Sequence, residues 1–403
     1  MEFKTIESLG DLNGKVVMLR ADLNVPMNEN FEVTNTARID RTVPTIKELM
    51  SKGAKVVVTS HLGRPEGTGY QAEFSLAHIA KDLEKALGKK VVFVGDCVGD
   101  EVAQAIKNMS NDEVLLLENL RFYKAEKKGD KDFAAQLVAN VDAYVSDAFS
   151  TAHRAHASMV AAVELRPSAF GRLMEEEVNA LSKGLNDPKR PLIAIVGGSK
   201  VSTKLDLLNN LVKRVNKLVI SGGMAHTFMK ASGIDTVNEA NSLVQMDMLD
   251  TAKEIMATAE ANNCKIILPL DVVVSKEFKP MAEHKTVGLD EIPAEGWSLL
   301  DVGEKTIAAI NAELDDSKTL VWNGPLGVFE MKPFDNATNK VAEHAAKLTA
   351  EGKLMTVAGG GDTVSALANA GVEKQFSYIS TAGGAFLEWM EGKELPGVVV
   401  LKK

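Results

Sequence analysis

The sequence predicts an α/β protein with two domains, each built on a mainly parallel β-sheet. Short apolar segments typical of buried strands alternate with amphipathic segments typical of helices through both halves of the chain. This alternation predicts parallel strands joined by right-handed crossovers. A chain of 403 residues exceeds what one ordinary hydrophobic core accommodates. Its hydrophobic content of 45% is enough to fill two cores, so disorder is not expected.

In the first half of the chain, charged and polar residues follow the predicted strands. Strands are predicted at 15–19, 54–59, 91–94, 113–117 and 143–146, and helices at 36–52, 75–87, 100–109 and 131–140. Four strands end in the polar segments 20–26, 60–65, 118–122 and 147–156. The carboxyl ends of parallel strands share one sheet edge, where ligands bind. Eight of the ten arginines precede residue 173, and arginine suits bidentate capture of carboxylate or phosphate. This half is therefore predicted to bind a small anion.

In the second half, glycines follow the predicted strands instead. Strands at 192–196, 217–221, 354–358 and 377–380 run into glycine turns at 197–198, 222–223, 359–361 and 383–384, and helices are predicted at 201–215, 242–262 and 336–350. Glycine lets backbone N–H groups approach an anion closely, and a helix N-terminus adds partial positive charge. Four such turns on one edge predict a phosphate-rich ligand, a nucleotide. At the third turn Asp362 could hold Mg²⁺, and the hydroxyl of Thr363 could contact a phosphate.

Further polar residues lie close to these turns. Lys200 and Lys204 stand at the start of the helix predicted after the first turn, four residues apart, so we expect them on one helix face over transferred phosphates. The alternative is a solvated lysine face. An apolar run entering the Gly324–Pro325 turn ends in Glu330. Its carboxylate could accept the hydroxyls of a ribose, or it is an exposed glutamate after a tight turn.

Composition disfavours several classes of protein. A net charge of −9 argues against a general surface for nucleic acid or anionic membranes. The first residues lack signal-peptide features, and no apolar run approaches the roughly 18 residues of a membrane span. We therefore expect a cytoplasmic protein. Cys97 and Cys264 have no metal-ligand spacing and are expected to be reduced thiols in the core. A helix predicted at 174–185, with an acidic start and a proline stop, is suited to link the domains.

Other site types lack their characteristic patterns. The P-loop pattern is absent, and so is the Gly-x-Ser-x-Gly elbow of hydrolases. A dinucleotide-binding fingerprint would require glycine at position 364, which is valine. His61, His153 and His156 are interleaved with arginines that would repel a metal cation, so anion binding is the better interpretation. An NAD-dependent dehydrogenase and a non-catalytic nucleotide-binding protein remain the alternatives to a phosphotransferase.

Taken together and in order, the motifs resemble those of the phosphoglycerate kinase family, bacterial type, over essentially the whole chain. The blocks that carry this resemblance are 20–26, 60–65, 117–122, 147–158, 197–204, 322–330, 359–363 and 379–388. The resemblance implies two Rossmann-like three-layer domains joined by an interdomain helix and a hinge. The implied division is a phosphoglycerate-binding domain at 1–172 with the tail from about 387 to 403, a helix at 173–188, and a nucleotide-binding domain at 189–386.

The resemblance also implies an activity and the residues that carry it. The reaction would be 1,3-bisphosphoglycerate + ADP ⇌ 3-phosphoglycerate + ATP with Mg²⁺, performed by a monomer in glycolysis and gluconeogenesis. Phosphoglycerate would be bound by Asp22, Asn24, Arg38, His61, Arg64, Arg121 and Arg154. The nucleotide would be bound by Gly198, Lys204, Asn323, Glu330, Gly360, Gly361, Asp362 and Thr363, with Asp362 towards the metal. The transferring phosphoryl group would be stabilised by Arg38, Lys200, Gly383 and Gly384.

Overall fold

Six parallel strands form the central sheet of the first of two units in the computed structural model of the chain, which describes residues 2–403. This unit extends to Val178 and includes Glu394–Lys403. Its strands pair in the order β3-β4-β2-β1-β5-β6. They are β1 Val16–Ala21, β2 Lys55–Thr59, β3 Lys90–Val94, β4 Glu113–Leu117, β5 Ala143–Asp147 and β6 Ser168–Phe170. The predicted strands of the first half are confirmed, and β6 adds an edge strand that the sequence pattern did not show.

Helices cover the sheet of this first unit. They are α1 Ala37–Ser51, α2 Ala80–Leu87, α3 Asp100–Asn108, α4 Lys124–Lys127, α5 Lys131–Leu137, α6 Ala161–Glu164 and the first part of α7 Arg172–Leu181, which continues into the second unit. Val17 and Leu19 of β1 pack in one core cluster with Ile46 of α1. Met18, which points to the opposite face of β1, is equally buried. Burial on both faces is characteristic of a parallel sheet between two helical layers.

The second unit, Asn179–Lys393, contains another parallel six-stranded sheet and a small antiparallel one. The parallel sheet has the order β15-β14-β13-β7-β8-β9, formed by β7 Leu192–Gly197, β8 Lys217–Ser221, β9 Lys265–Ile267, β13 Thr319–Asn323, β14 Met355–Gly359 and β15 Tyr378–Ser380. The antiparallel sheet consists of β10 Asp271–Ser275, β11 His284–Gly288 and β12 Ser298–Val302, with β10 in the middle. The predicted α/β class with mainly parallel sheets is confirmed.

Seven α-helices of four or more residues accompany the sheets of the second unit. They are α8 Leu205–Leu211, α9 Gly223–Ala231, α10 Leu249–Ala261, α11 Glu304–Asp315, α12 Asn336–Ala350, α13 Gly361–Asn369 and α14 Gly383–Met390. A last helix, α15 Pro396–Val399, belongs to the first unit, where the N–H of Gly397 donates to the carbonyl oxygen of Ala152 over 2.9 Å. Short 3₁₀ turns complete the chain at 6–9, 72–74, 76–79, 120–122, 149–151, 201–203, 246–248, 289–291 and 373–375, and a π-helical turn at 182–186 extends α7.

Three predicted helices are shorter in the structure. The helix expected at 75–87 begins as a 3₁₀ turn and becomes α-helical only at Ala80, and the one expected at 201–215 is α-helical only over Leu205–Leu211. The helix expected at 242–262 begins at Leu249. The segment before it contacts α9 instead: Leu243 N donates to His226 Nδ1 and Gln245 N donates to Thr227 Oγ1. These side chains of α9 hold the segment before α10 in a non-helical path.

Candidate active site

In the first unit, the predicted anion-binding residues lie at the carboxyl ends of four adjacent strands. Asp22 follows β1, and its carboxylate holds Arg38 of α1 through a 2.5 Å contact from Nη1 to Oδ2. The hydroxyl of Ser150, which follows β5, donates to the same oxygen over 2.6 Å. Asn24 accepts a hydrogen bond from the backbone N–H of Gly63, which follows β2. These contacts fix one guanidinium group and tie three strand ends together.

Arg121, after β4, belongs to the same edge. Its Nη1 donates to the carbonyl oxygen of Gly63 over 2.7 Å, while its Nε is buried and has no partner in the structure. Burial and the nearby positive charge of Arg20 lower the pKa of Arg121 to about 10. Arg64 and Arg154 are exposed at their positions after β2 and β5. A half-buried guanidinium with a free donor is well suited to receive an anionic oxygen.

His61 is almost completely buried at this edge, 3% exposed. Its Nδ1 lies 3.2 Å from Nη2 of Arg20. Burial lowers the pKa of His61 well below its usual range, and the positive charges of Arg20, Arg121 and Arg38 lower it further. At neutral pH the imidazole is therefore uncharged.

In the second unit, a cavity of about 610 Å³ opens at the carboxyl ends of the parallel strands. Its wall contains every predicted nucleotide-binding residue: Gly198, Lys204, Asn323, Glu330, Gly360, Gly361, Asp362 and Thr363. The remaining wall is largely apolar and includes Leu243, Val272, Phe278 and Leu299. A concave, partly apolar pocket with a few convergent polar groups is the usual form of a small-molecule site.

Lys204 is the centre of a hydrogen-bond network in this cavity. Its ammonium donates to the carbonyl oxygen of Gly197 over 2.5 Å and to Oδ1 of Asn323 over 2.7 Å. The amide of Asn323 is oriented by donation to the carbonyl oxygen of Gly359 over 2.9 Å. Burial lowers the pKa of Lys204 to about 8, although the negative charge of Asp362 opposes this shift.

The prediction that Lys200 and Lys204 share a helix face is wrong. Lys200 has an extended backbone before the 3₁₀ turn Val201–Thr203, and Lys204 precedes α8 with φ −131°. The side chain of Lys204 reaches back to Gly197 and Asn323, which a residue inside the helix could not do. Lys200 borders a shallower depression that it shares with Ser199, Glu239 and Leu243.

Two glycine turns place helix N-termini side by side in the second unit. Gly360 has φ +99°, and α13 begins at the next residue. A Cβ atom on Gly383, the first residue of α14, would lie 3.9 Å from Gly360 Cα and from Gly361 N. A Cβ atom on Gly361 would meet nothing within 4 Å. The two helix starts are therefore neighbours, and the space beside Gly361 is open, as a phosphate-binding site requires.

Several residues of these sites were not singled out from the sequence. Arg20 and Asn119 lie inside the polar segments that were recognised, but the pattern did not show that Asn119 bridges the carbonyl oxygens of Leu62 and Phe74. His226 and Asp301 line the nucleotide-side cavity. His226 lies on the buried face of α9 and Asp301 on a strand of the antiparallel sheet. Neither has a local signal, because their placement depends on packing between distant segments.

Two expectations about composition can be compared with the structure. Cys97 and Cys264 are free and buried, as predicted. Within the described residues 2–403, no helix has both the length and the apolar character needed to cross a bilayer, and no three His, Cys, Asp or Glu side chains are grouped as metal ligands.

The chain matches known proteins along its whole length. The family model described as phosphoglycerate kinase matches residues 6–393. The phosphoglycerate kinase of Rhizobium meliloti is 54% identical over 403 residues, with 100% of both chains covered. That of Mesorhizobium japonicum is 55% identical over 401 residues and covers 100% of this chain and 99% of its own.

Two solved structures show the same fold. Phosphoglycerate kinase from Coxiella burnetii matches with a TM-score of 0.90 and 40% identity, and 99% of each chain is covered. The enzyme from Pyrococcus horikoshii matches with a TM-score of 0.79 and 28% identity, covering 99% of this chain and 98% of that one. A dehydrogenase or a non-catalytic nucleotide-binding protein is not supported by any of these matches. The chain belongs to the phosphoglycerate kinase family and is a phosphotransferase.

Proposed function

We propose that this chain catalyses the reversible reaction of 1,3-bisphosphoglycerate with ADP to give 3-phosphoglycerate and ATP, with Mg²⁺. The observation that carries the proposal is the pair of neighbouring helix starts at Gly361 and Gly383, because Gly361 lines the cavity that also contains the ammonium group of Lys204. Phosphate groups of a nucleotide fit such a site. The first unit provides a second, arginine-rich site suited to the phosphoglycerate.

The chemistry of the acceptor explains why these sites need no general base. In the direction of ATP consumption the acceptor is a carboxylate with a pKa of about 3.5, which is already ionised at pH 7. Phosphoryl transfer then requires in-line positioning and stabilisation of an anionic, loosely bonded transition state. Positive charge and N–H donors are the groups that meet this requirement.

On the phosphoglycerate side, we assign the binding of the ligand's phosphate and carboxylate groups to polar residues at the strand ends. Arg38 is held by Asp22, so its guanidinium is available in a fixed orientation. Asn24 supports the turn after β2 through Gly63. The whole proposed set is Asp22, Asn24, Arg38, His61, Arg64, Arg121 and Arg154.

On the nucleotide side, we assign the phosphates to Lys204 and the turn Gly360–Thr363. Thr363 is anchored by accepting a 2.7 Å hydrogen bond from Gly324 N, which fixes the first turn of α13. The apolar wall, which includes Leu243 and Leu299, suits an adenine ring, and Glu330 at the exposed rim suits the ribose hydroxyls. Gly198 and Asn323 complete the proposed set.

Mg²⁺ fits the donor groups present. Magnesium is commonly held by one or two carboxylates together with substrate phosphates and water. Asp362 supplies one carboxylate at the cavity wall, beside the proposed phosphate position. When bound there, the ion would neutralise charge on the nucleotide phosphates. The absence of a larger ligand cluster among residues 2–403 is consistent with a metal that arrives with the nucleotide.

The transfer step is assigned to Arg38, Lys200, Gly383 and Gly384. Arg38 and Lys200 supply positive charge, and the two glycines supply N–H groups at the start of α14. The reaction requires the two bound ligands to meet in line. We propose a monomer acting in the cytoplasm, where the free thiols of Cys97 and Cys264 would stay reduced.

A coupled assay tests the proposed function directly. Purified protein with ATP, Mg²⁺ and 3-phosphoglycerate is expected to form ADP, and omission of 3-phosphoglycerate or chelation of the metal should abolish ADP formation. ADP formation that is independent of 3-phosphoglycerate, or none at all from protein shown to be folded, would refute the proposal.

A further inference from the structure

Arg20 lies in the wall of the anion-binding edge, but its side chain is directed at the protein. It is completely buried at the end of β1. Nη1 donates to the carbonyl oxygen of Ala21 over 2.6 Å and Nε donates to the hydroxyl of Ser158 over 2.9 Å. The third contact, from Nη2, is to Nδ1 of His61 over 3.2 Å. Each of these three guanidinium nitrogens has a protein partner.

The charge of Arg20 is balanced through a serine. The hydroxyl of Ser158 donates to Oε1 of Glu126 over 2.5 Å, and the backbone N–H of Ser158 donates to Oε2 over 2.9 Å. Because that hydroxyl hydrogen is used on Glu126, the hydroxyl oxygen can only accept from Arg20. Glu126 is itself fully buried. The hydrogen bonds from Arg20 to Ser158 and from Ser158 to Glu126 therefore all run in one direction, and they hold the guanidinium in one orientation.

In the hydrogen bond between Arg20 and His61, only Arg20 can be the donor. A guanidinium has donors and no acceptor. Nδ1 of His61 must therefore offer its lone pair, and an uncharged imidazole with a free Nδ1 carries its hydrogen on Nε2. Nδ1 is occupied by Arg20, so Nε2 is the ring nitrogen left to serve a ligand.

We infer that Arg20 is a positioning residue that holds His61 as a neutral imidazole protonated on Nε2, so that His61 binds the ligand phosphate as a hydrogen-bond donor and not as a cation. The inference rests on the proposed function, since it concerns the same phosphoglycerate site. It separates the roles of neighbouring residues: the exposed and half-buried arginines supply charge, and His61 supplies a single directed N–H.

The surroundings of His61 agree with a neutral ring. The charged and titratable groups that act on it are Arg20 from β1, Arg38 from α1, Arg121 from the segment after β4, and His156 from the segment after β5. The three arginines disfavour a second proton on the ring, and so does burial. His156 is itself kept neutral, because burial and Arg121 lower its pKa to about 4.

Nitrogen-15 NMR of protein labelled at histidine tests the state of the ring. The His61 signals are assigned as those missing from His61→Gln. Between pH 5.5 and 8.5 they should stay constant and show a protonated Nε2 and an unprotonated Nδ1. A ring that gains a second proton in this range, or one protonated mainly on Nδ1, would overturn the inference.

Variants test whether Arg20 is the cause. Arg20→Lys keeps the charge but lacks the guanidinium fork, so the Nδ1-protonated form of His61 should become detectable. Ser158→Ala removes the Nε partner that orients the guanidinium but leaves the contact with His61, so a change in the same direction, smaller than in Arg20→Lys, is expected. An unaltered His61 spectrum in folded Arg20→Lys would refute the role of Arg20. If that variant does not fold, the wild-type spectrum still decides the state of the ring.

Binding of sulfate tests the donor role without turnover. Calorimetry should show that His61→Gln, which keeps an N–H donor, binds sulfate more tightly than His61→Ala by about tenfold, the effect of one hydrogen bond to an anion. Equal affinity of the two variants would remove His61 as a donor. If the His61 spectra and the sulfate affinities are as expected but the protein does not turn over 3-phosphoglycerate, this inference is supported and the proposed function is refuted.

Discussion

The ammonium group of Lys204 donates a 2.7 Å hydrogen bond to the amide oxygen of Asn323, 119 positions further along the chain. Lys204 also reaches the carbonyl oxygen of Gly197, and its pKa is lowered to about 8 by burial. The lysine is therefore held in the cavity by two neutral acceptors that do not cancel its charge. A lysine in this setting is charged at neutral pH and loses its proton only slightly above it.

We predict from this that nucleotide affinity falls above pH 8. Only the charged form of Lys204 attracts phosphate, so the Kd for ATP should be about tenfold higher at pH 9 than at pH 7. Lys204→Arg is the control, because a guanidinium keeps its charge throughout this range. Calorimetric titrations of both proteins from pH 6.5 to 9.5 would check this. The same pH dependence in both would show that another group is responsible.

The fold was predictable where strands and helices are defined by local pattern. The runs that became β1, β2, β4 and β7 are short, apolar and followed by turn residues, and their ends determine which residues share a sheet edge. The candidate site follows from this, because parallel strands bring all their carboxyl ends to one edge. Asp22 could therefore be placed with Arg121 at the edge of the first sheet, and Asp362 with Gly198 at the edge of the second, without knowledge of tertiary contacts.

Features that depend on distant contacts could not be predicted. The non-helical segment before α10 is tied to α9 by His226 and Thr227, which accept from the N–H groups of Leu243 and Gln245, 17 and 18 positions away. Lys204 is drawn off its helix by an acceptor 119 positions away. Likewise, the antiparallel sheet pairs β10 with β12, and no pattern within either strand indicates that partner. In each case the structure depends on a contact between residues that are distant in the sequence.

We predict that Arg38→Ala lowers turnover by about 10³-fold, the scale associated with one arginine at a transferring phosphoryl group. The Kd for ATP should change little, because Arg38 lies in the first unit and the proposed nucleotide site in the second. Steady-state kinetics and calorimetry measure the two effects separately. Asp22→Asn keeps the guanidinium but weakens its 2.5 Å anchor, so a smaller loss of turnover is expected. An unchanged rate in Arg38→Ala would remove this residue from the mechanism.

A third prediction concerns the stability of the second unit. Asp301 is buried, and its Oδ2 accepts a 3.1 Å hydrogen bond from the N–H of Ala337 while its Oδ1 has no partner in the structure. Burial raises the pKa of this carboxyl to about 8. In the unfolded chain it ionises near pH 3.9. Its contribution to folding is thus complete below about pH 4 and is lost as the pH rises through 8.

Asp301→Asn should remove this loss. The asparagine keeps an acceptor for Ala337 and cannot ionise, so the variant should be more stable than the wild type at pH 8.5 by several kcal/mol, the order of magnitude implied by a pKa raised from about 3.9 to about 8. At pH 4.5 the difference should be much smaller, because most of the loss occurs between that pH and pH 8. Urea unfolding at both pH values measures it, with the exposed Asp250→Asn as control. A constant difference across this pH range would show that Asp301 does not titrate between the two states.

The last prediction separates the structural role of a glycine from its ligand role within one turn. Gly360 has φ +99°, and a Cβ atom there would lie 2.6 Å from Nδ2 of Asn323. Gly361 is helical, and a Cβ atom there would meet nothing within 4 Å. Gly360→Ala should therefore lower stability by about 1–2 kcal/mol. Gly361→Ala should leave the urea midpoint almost unchanged.

Of the two variants, Gly360→Ala should lose more stability, whereas Gly361→Ala should show a clear loss of affinity for ATP. The added methyl group of Gly361→Ala points into the open space beside the N–H groups at the start of α13, where we place the nucleotide phosphates. It should keep the phosphates from approaching those N–H groups, and the Kd should rise about tenfold, comparable to the loss of one hydrogen bond to a charged group. Calorimetry of MgATP with both variants, beside their urea midpoints, tests this. A stable Gly361→Ala protein with wild-type affinity would show that the phosphates do not bind at this helix start.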